Sequence, residues 1–221
     1  MIQARIHFQD QMNQLSHEIL LMGTRVEEDL RKTIQACRDK DTELARTVRS
    51  GDRDINTMQA EIEDKAAILL ATQQPVAGDL RRLVAFIKVV SDLERIGDYT
   101  SHLAKTVMKV GDRNKEDDIM RSLSAIADKG CAMLNQAMAA LLGNDEDLAR
   151  STAAMDIEID TMHKKVMAEI LEAMRLVPKN VEIEARLMRT ANFLERLGDH
   201  VTNICESVVY MVSGVHVEMN E

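Results

Sequence analysis

Residues Asp41 to Met58 align without a gap on Asp145 to Met162, and eight of these 18 positions are identical: Asp41, Leu44, Ala45, Arg46, Asp52, Ile55, Thr57 and Met58. A second match follows in the same order. Leu93-Glu94-Arg95-Ile96-Gly97-Asp98 returns as Leu194-Glu195-Arg196-Leu197-Gly198-Asp199, at an offset of 195 − 94 = 101 against 145 − 41 = 104 for the first match. Two ordered matches at nearly one offset mark an internal duplication. Whatever unit the first half forms, the second half forms again.

That unit is expected to be all-α. Aromatic residues are 2% of the chain, there is no Trp and only two prolines occur, whereas strands draw on aromatic and β-branched residues broken by frequent turns. The breaks divide each copy into three helices. In the first copy these run from about Phe8 to Cys37, Thr42 to Ala71 and Val76 to Val110. In the second they run from about Lys115 to Leu142, Glu146 to Leu176 and Val181 to Val212. Pro75 and Pro178 occupy matching junctions, where a helix has to stop. Gly111 and Gly214 stand where a helix C-terminus commonly takes a left-handed residue, and Gly111 to Asn114 is the expected link. Long helices on short loops pack antiparallel. The expectation is two tandem three-helix bundles, residues 1–111 and 112–221.

The repeated motif puts charge on an apolar face. On a helical wheel Glu94 falls among Leu83, Ile87, Val90 and Gly97, with Asp98 at the margin, while Lys88, Asp92 and Arg95 form the polar side. Glu195 and Asp199 repeat this beside Met188 and Ala191. A carboxylate in a core-facing stripe needs a partner, because desolvating it costs several kcal/mol. The middle helix adds further oxygen donors four residues apart, Asp52 with Asn56 and Asp156 with Asp160. If the middle and last helices pack together, each copy gathers four oxygen side chains. Mg²⁺, Mn²⁺ and iron favour such sites. His102 and Asn203, one turn on, and His163, three residues after Asp160, are further candidate ligands. The competing explanation is an ion pair from each Glu to an Arg of a neighbouring helix. Gly97 and Gly198 are explained first by close helix approach and second by room for a cluster.

Several function classes drop out. A net charge of −9 argues against a nucleic-acid binder. Cys37, Cys131 and Cys205 have no ligand spacing and read as reduced core thiols of an intracellular protein, and the methionines read as core filling. No stretch reaches the roughly 20 apolar residues of a membrane span, and the N-terminus lacks the order of a signal peptide, so the chain is expected to be soluble and cytoplasmic. No phosphate loop, GxSxG or Cys-His pair suggests an enzyme. A di-metal carboxylate oxidase characteristically uses two Glu-x-x-His motifs; the nearest sequence, Asp160-Thr161-Met162-His163, occurs once. His7, His17, His200 and His216 read as surface or polar-edge residues.

The paired ERxGD motifs resemble the signature of the PhoU family. Gln74-Pro75-Val76-Ala77-Gly78-Asp79-Leu80-Arg81 is similar to its QPxAxDLR segment, and Asn203-Ile204-Cys205-Glu206 to its NIxE segment. The resemblance covers nearly the whole chain. It implies a cytoplasmic, often dimeric negative regulator of phosphate uptake and of the phosphate-starvation response. Implied partners are the ATPase subunit of a phosphate transporter and a membrane sensor histidine kinase. It also implies multinuclear metal sites, with Fe, Mn, Mg or Zn on Glu94, Asp98, Glu195, Asp199, Asp52, Asp156 and Asp160. Asn56 and His102 depart from the family pattern, so the first copy is expected to bind metal more weakly than the second, or to bind a different metal. A helical adaptor serving another phosphate carrier without functional metal is the alternative.

Overall fold

The structure, a computed structural model, describes residues 2–110 and 117–220. The expected link Gly111 to Asn114, the Gly111 cap and the helix start near Lys115 lie outside the described residues. Among those residues there is no strand. The first copy comprises α1 (Ile2–Asp39), α2 (Thr42–Ser50), α3 (Asp52–Gln73) and α4 (Ala77–Val110). The second comprises α5 (Asp117–Gly143), α6 (Glu146–Ala153), α7 (Asp156–Leu176), a 3-10 turn (Pro178–Asn180) and α8 (Val181–Ser213).

The three-helix plan holds with one correction. The middle helix of each copy is not continuous; it breaks at Gly51 and again around Ala154 and Met155, at aligned positions. At each break the backbone bonding shortens to three residues, from Asp54 N to Gly51 O and from Glu158 N to Met155 O, both 3.0 Å. The second break has neither glycine nor proline, so propensity could not reveal it. Its effect is to place Asp52 and Asp156 as the first residues of new helices, where the amide dipoles favour negative charge. The first helix also begins earlier than expected, at Ile2.

The turns repeat as the sequence does. Lys40 and Asn144 take left-handed backbone, and the next residue caps the following helix. Asp41 accepts from the amides of Glu43 and Leu44 at 3.0 and 2.9 Å, and Asp145 from that of Leu148 at 2.9 Å. Pro75 follows the left-handed Gln74 that ends α3, and Pro178 opens the 3-10 turn after α7. Gly214 ends α8 with φ 79°, its amide returning to Tyr210 O.

One apolar core runs through both copies. Met12, Met22, Phe86, Leu93, Ile96, Leu123, Ile126, Leu187 and Leu197 are all fully buried in it. A fully buried side chain of this size contributes about 1.5–3 kcal/mol, whereas exposed i,i+4 ion pairs such as Arg31–Glu27 contribute about 0.3–0.5 kcal/mol. Packing therefore holds the bundle. Every methionine other than Met1 is buried or packs against the core, as expected of core filling. The three cysteines are free and buried.

The copies meet through α1 on α5 and, more extensively, α4 on α8. Asp92 contacts His200 and Asn203, Tyr99 and His102 stack on Phe193, and the Thr106 hydroxyl pairs with that of Thr190 at 2.8 Å. Partners on α8 move back as positions on α4 move forward, so the two helices are antiparallel. This register sets Gly97 level with Gly198. The two ERxGD motifs therefore face each other across a pseudo-two-fold axis between the copies.

Candidate functional site

Each copy brings its acids together where the start of its broken middle helix packs on its last helix. The glycine of the motif makes that approach possible. A Cβ on Gly97 would stand 3.1 Å from Ile55 Cδ1, and one on Gly198 would stand 3.1 Å from Ile159 Cδ1 and only 2.2 Å from Asp156 Oδ1. The second glycine thus makes room for a carboxylate as well as for a helix. Both explanations offered from the sequence apply there; at Gly97 close packing alone is seen.

In the second copy Asp156, Asp160, Glu195 and Asp199 form one electrostatic group. Asp156 is pushed up to about 7, first by burial and then by Asp199, Asp160 and Glu195. Glu195 and Asp199 are raised by burial and by their acidic neighbours, with His163 and Arg196 easing Glu195, and His200 and Arg196 easing Asp199. In the first copy burial and Asp98 raise both Asp52 and Glu94. There His102, Ser101 and Arg49 pull Asp52 down, and Arg95 and His200 pull Glu94 down.

Ion pairing does not account for these clusters. Among the described residues Glu94 and Asp98 are approached by Arg95 of their own helix, at 3.7 and 4.0 Å, and by no cation of a neighbouring helix. Oδ1 of Asp52 and Oδ1 of Asp156 are buried without a hydrogen-bond partner among the described residues. Such an oxygen ordinarily costs about 1–3 kcal/mol, and more when charged. Two orphaned carboxylate oxygens at equivalent positions, each amid other acids, fit the donor chemistry of a hard cation. Among the described residues no three His, Cys, Asp or Glu side chains close on a common point at ligand spacing. The fit lies in donor type, burial and unmet bonding capacity.

The weaker candidates are placed differently. Asn56 is exposed one turn beyond Asp52. His102 is exposed, with Nδ1 on Asp98 O at 2.8 Å and its ring on Phe193. Asn203 donates to Asp92 at 3.3 Å, and Nε2 of His163 bonds Asn192 at 2.9 Å. His102 and Asn203 are equivalent positions, and both serve α4–α8 packing.

Asp92, read as part of the polar side, and His200, read as a surface or polar-edge residue, are both half-buried between α4 and α8 and joined through His200 Nδ1 at 2.8 Å. The equivalent of Asp92 in the second copy is Phe193, and that of His200 in the first is Tyr99. One side of the pseudo-axis is thus the polar set Asp92, His200 and Asn203, and the other the aromatic set Phe193, Tyr99 and His102. Wheel geometry within one helix carries no sign of this, since it depends on which helix the polar side meets.

The family model of the PhoU domain matches twice, over residues 19–107 and 123–208. The chain belongs to the PhoU family. A phosphate-specific transport system accessory protein PhoU homolog of Clostridium acetobutylicum is 31% identical over 97% of this chain and 98% of its own length. The Pseudomonas aeruginosa homolog is 32% identical over 95% of this chain and 87% of its own. The crystal structure of PhoU from Pseudomonas aeruginosa superimposes with a TM-score of 0.90 at 32% identity, covering 94% of this chain and all of that one. The phosphate transport system regulatory protein PhoU from Streptococcus pneumoniae gives 0.86 at 28% identity, covering 96% of this chain and 99% of that one. The two domain matches of this PhoU-family chain coincide with its two acid-bearing copies. Among its described residues no helix is long and apolar enough to cross a membrane.

The raised carboxyls predict a pH dependence for the metal-free chain. Asp156 titrates near 7 when folded against its ordinary 3.8, so between these values the folded state holds more protons than the unfolded. Stability therefore falls as pH rises through that window; the penalty is absent below it and complete above it. Asp52, Glu94, Glu195 and Asp199 act with the same sign. Urea unfolding with chelator present, at about pH 5 and about pH 8, is expected to show higher stability at the lower pH. Asp156→Asn is expected to flatten the difference. Equal slopes for the two proteins would remove Asp156 from this account.

Proposed function

We propose that the chain is a cytoplasmic negative regulator of phosphate uptake and of the phosphate-starvation response. In this reading it relays the state of a phosphate transporter, through contact with the ATPase subunit, to a sensor histidine kinase, and it acts as a homodimer without catalysing a reaction. Support comes from what the relatives are named for, accessory and regulatory proteins of phosphate transport. The observation that carries the metal part is the pair of buried, unpartnered Asp52 and Asp156 oxygens, each inside an acid cluster.

Glu94, Asp98 and Asp52 would hold metal in the first copy, and Glu195, Asp199, Asp156 and Asp160 in the second. Their all-oxygen donor set favours iron, Mn²⁺ or Mg²⁺ over Zn²⁺. A bound cation would supply positive charge that cancels repulsion among the acids and clamps α3 to α4 and α7 to α8. The residues themselves orient those helices, so the surface offered to a partner depends on whether the acids are neutralised. The metal-free adaptor draws support from the absence, among the described residues, of a converged ligand triplet.

Deleting the gene and assaying alkaline phosphatase in phosphate-replete cells tests this. Activity is expected to be high despite ample phosphate and to fall again when the wild-type gene is restored. Persistently low activity in the deletion strain would sink the regulatory reading.

A further inference from the structure

The fold brings the arginines of the two ERxGD motifs together. Arg95 and Arg196 are equivalent residues of the two copies, and both line one cleft of ≈ 550 Å³ beside the pseudo-two-fold axis. Tyr99 and His200, themselves an equivalent pair, line the same cleft with their rings 5.7 Å apart, and Asn203 and Asn220 complete the polar wall. A site on the axis receives each motif's arginine from an opposite side. Neither copy alone can build it.

Arg95 is held only loosely by acids. Its contacts to Glu94 and Asp98, at 3.7 and 4.0 Å, lie beyond hydrogen-bond distance, and its side chain is 57% exposed. Arg196 is likewise exposed. Among the lining residues only Asp199 is acidic. Asp92, next to the cleft, is tied to His200 Nδ1 and to the Asn203 amide. That bond leaves Nε2 as the second nitrogen of the His200 ring. The chain doubles back after Gly214, with Met219 N on Glu206 at 2.7 Å and the Asn220 amide on Asp199 O at 3.2 Å, so the C-terminal segment forms one edge of the cleft.

Two planar guanidinium forks and side-chain amides in an open cleft are the donor set of a tetrahedral oxyanion, because each fork can engage two oxygens at once. We propose that this cleft binds a phosphate-type oxyanion through Arg95 and Arg196, with Asn203 as a neighbouring donor. The choice of phosphate among oxyanions rests on the regulatory reading above; the oxyanion site rests on the geometry. The site adjoins the acid clusters, sharing Asp199 with the second and meeting Glu94 and Asp98 of the first through Arg95.

The test is calorimetric titration of the full chain with inorganic phosphate, at constant ionic strength and with chelator present so that no metal can recruit the anion. Saturable binding is expected, weakened roughly ten-fold or more in the Arg95→Gln/Arg196→Gln double variant. Both side chains are exposed, so the variant is expected to keep wild-type circular dichroism. Each single variant is expected to fall between, because the two forks act on one ligand. Absence of saturable binding, or a double variant that binds like wild type, would overturn the proposal. Those results would leave the deletion phenotype standing, since that phenotype requires no anion in this cleft. A failed phenotype would equally leave the calorimetry standing.

Discussion

Replacing Glu94, Asp98, Glu195 and Asp199 together by Ala is expected to remove nearly all metal from the purified protein while its helical content stays the same. The four acids lie well inside α4 and α8, and Ala is the better helix former at every one of them, by at most about 0.7 kcal/mol each. Among the described residues none of them anchors its helix by an ion pair to a neighbouring one. What the change removes is charge crowded against Asp52, Asp156 and Asp160. With chelator present the variant is therefore expected to be more stable than wild type above about pH 7. That sign is opposite to the usual result of cutting back half-buried side chains. Metal content after dialysis, read by mass spectrometry beside far-ultraviolet circular dichroism, separates the possibilities. Unchanged stoichiometry would dismiss these residues as ligands. The half-variants are expected to differ: Glu195→Ala/Asp199→Ala removes the tighter metal, because the second cluster has four acids where the first has three.

The duplication made most of this legible in the chain itself. Offsets of 104 and 101 located two equivalent units, and the matched Pro75 and Pro178 located equivalent junctions. Placing Glu94 and Glu195 on apolar arcs was enough to mark them as unusual, and the structure does bury them partly beside other acids. The break within each middle helix was not legible, because in the second copy Ala154 and Met155 are ordinary helix residues and the break is imposed by tertiary packing. The interface between the copies was not legible either. Asp92 reads only as a polar-side residue and His200 as a surface or polar-edge one when each helix is considered alone, and they become partners only because α4 runs antiparallel to α8. Residues whose role is fixed within one unit could be read from its repeat, whereas residues whose role depends on how the units meet required the fold.

Gly198→Ala is expected to weaken metal binding at the second cluster by roughly 10–100-fold, in the range seen when the support of a ligand is disturbed. Gly97→Ala is expected to change it little. The motifs are identical at these positions, so sequence alone predicts equal effects. Geometry separates them. The new Cβ at residue 198 would stand 2.2 Å from Asp156 Oδ1, a distance no carbon and oxygen can share, so the carboxylate must leave its place. At residue 97 the nearest atom is Ile55 Cδ1 at 3.1 Å, the end of a flexible side chain that needs to yield only a few tenths of an ångström. Both changes also gain about 1 kcal/mol in helix propensity, which offsets the packing cost of overfilling. Neither variant is expected to lose much stability in chelator, and only the second loses affinity. Competitive metal titration against a chromophoric chelator measures the two affinities directly. Equal retention of metal by both variants would mean that the Asp156 carboxylate is not a ligand, and that Gly198 is there only to let α7 approach α8.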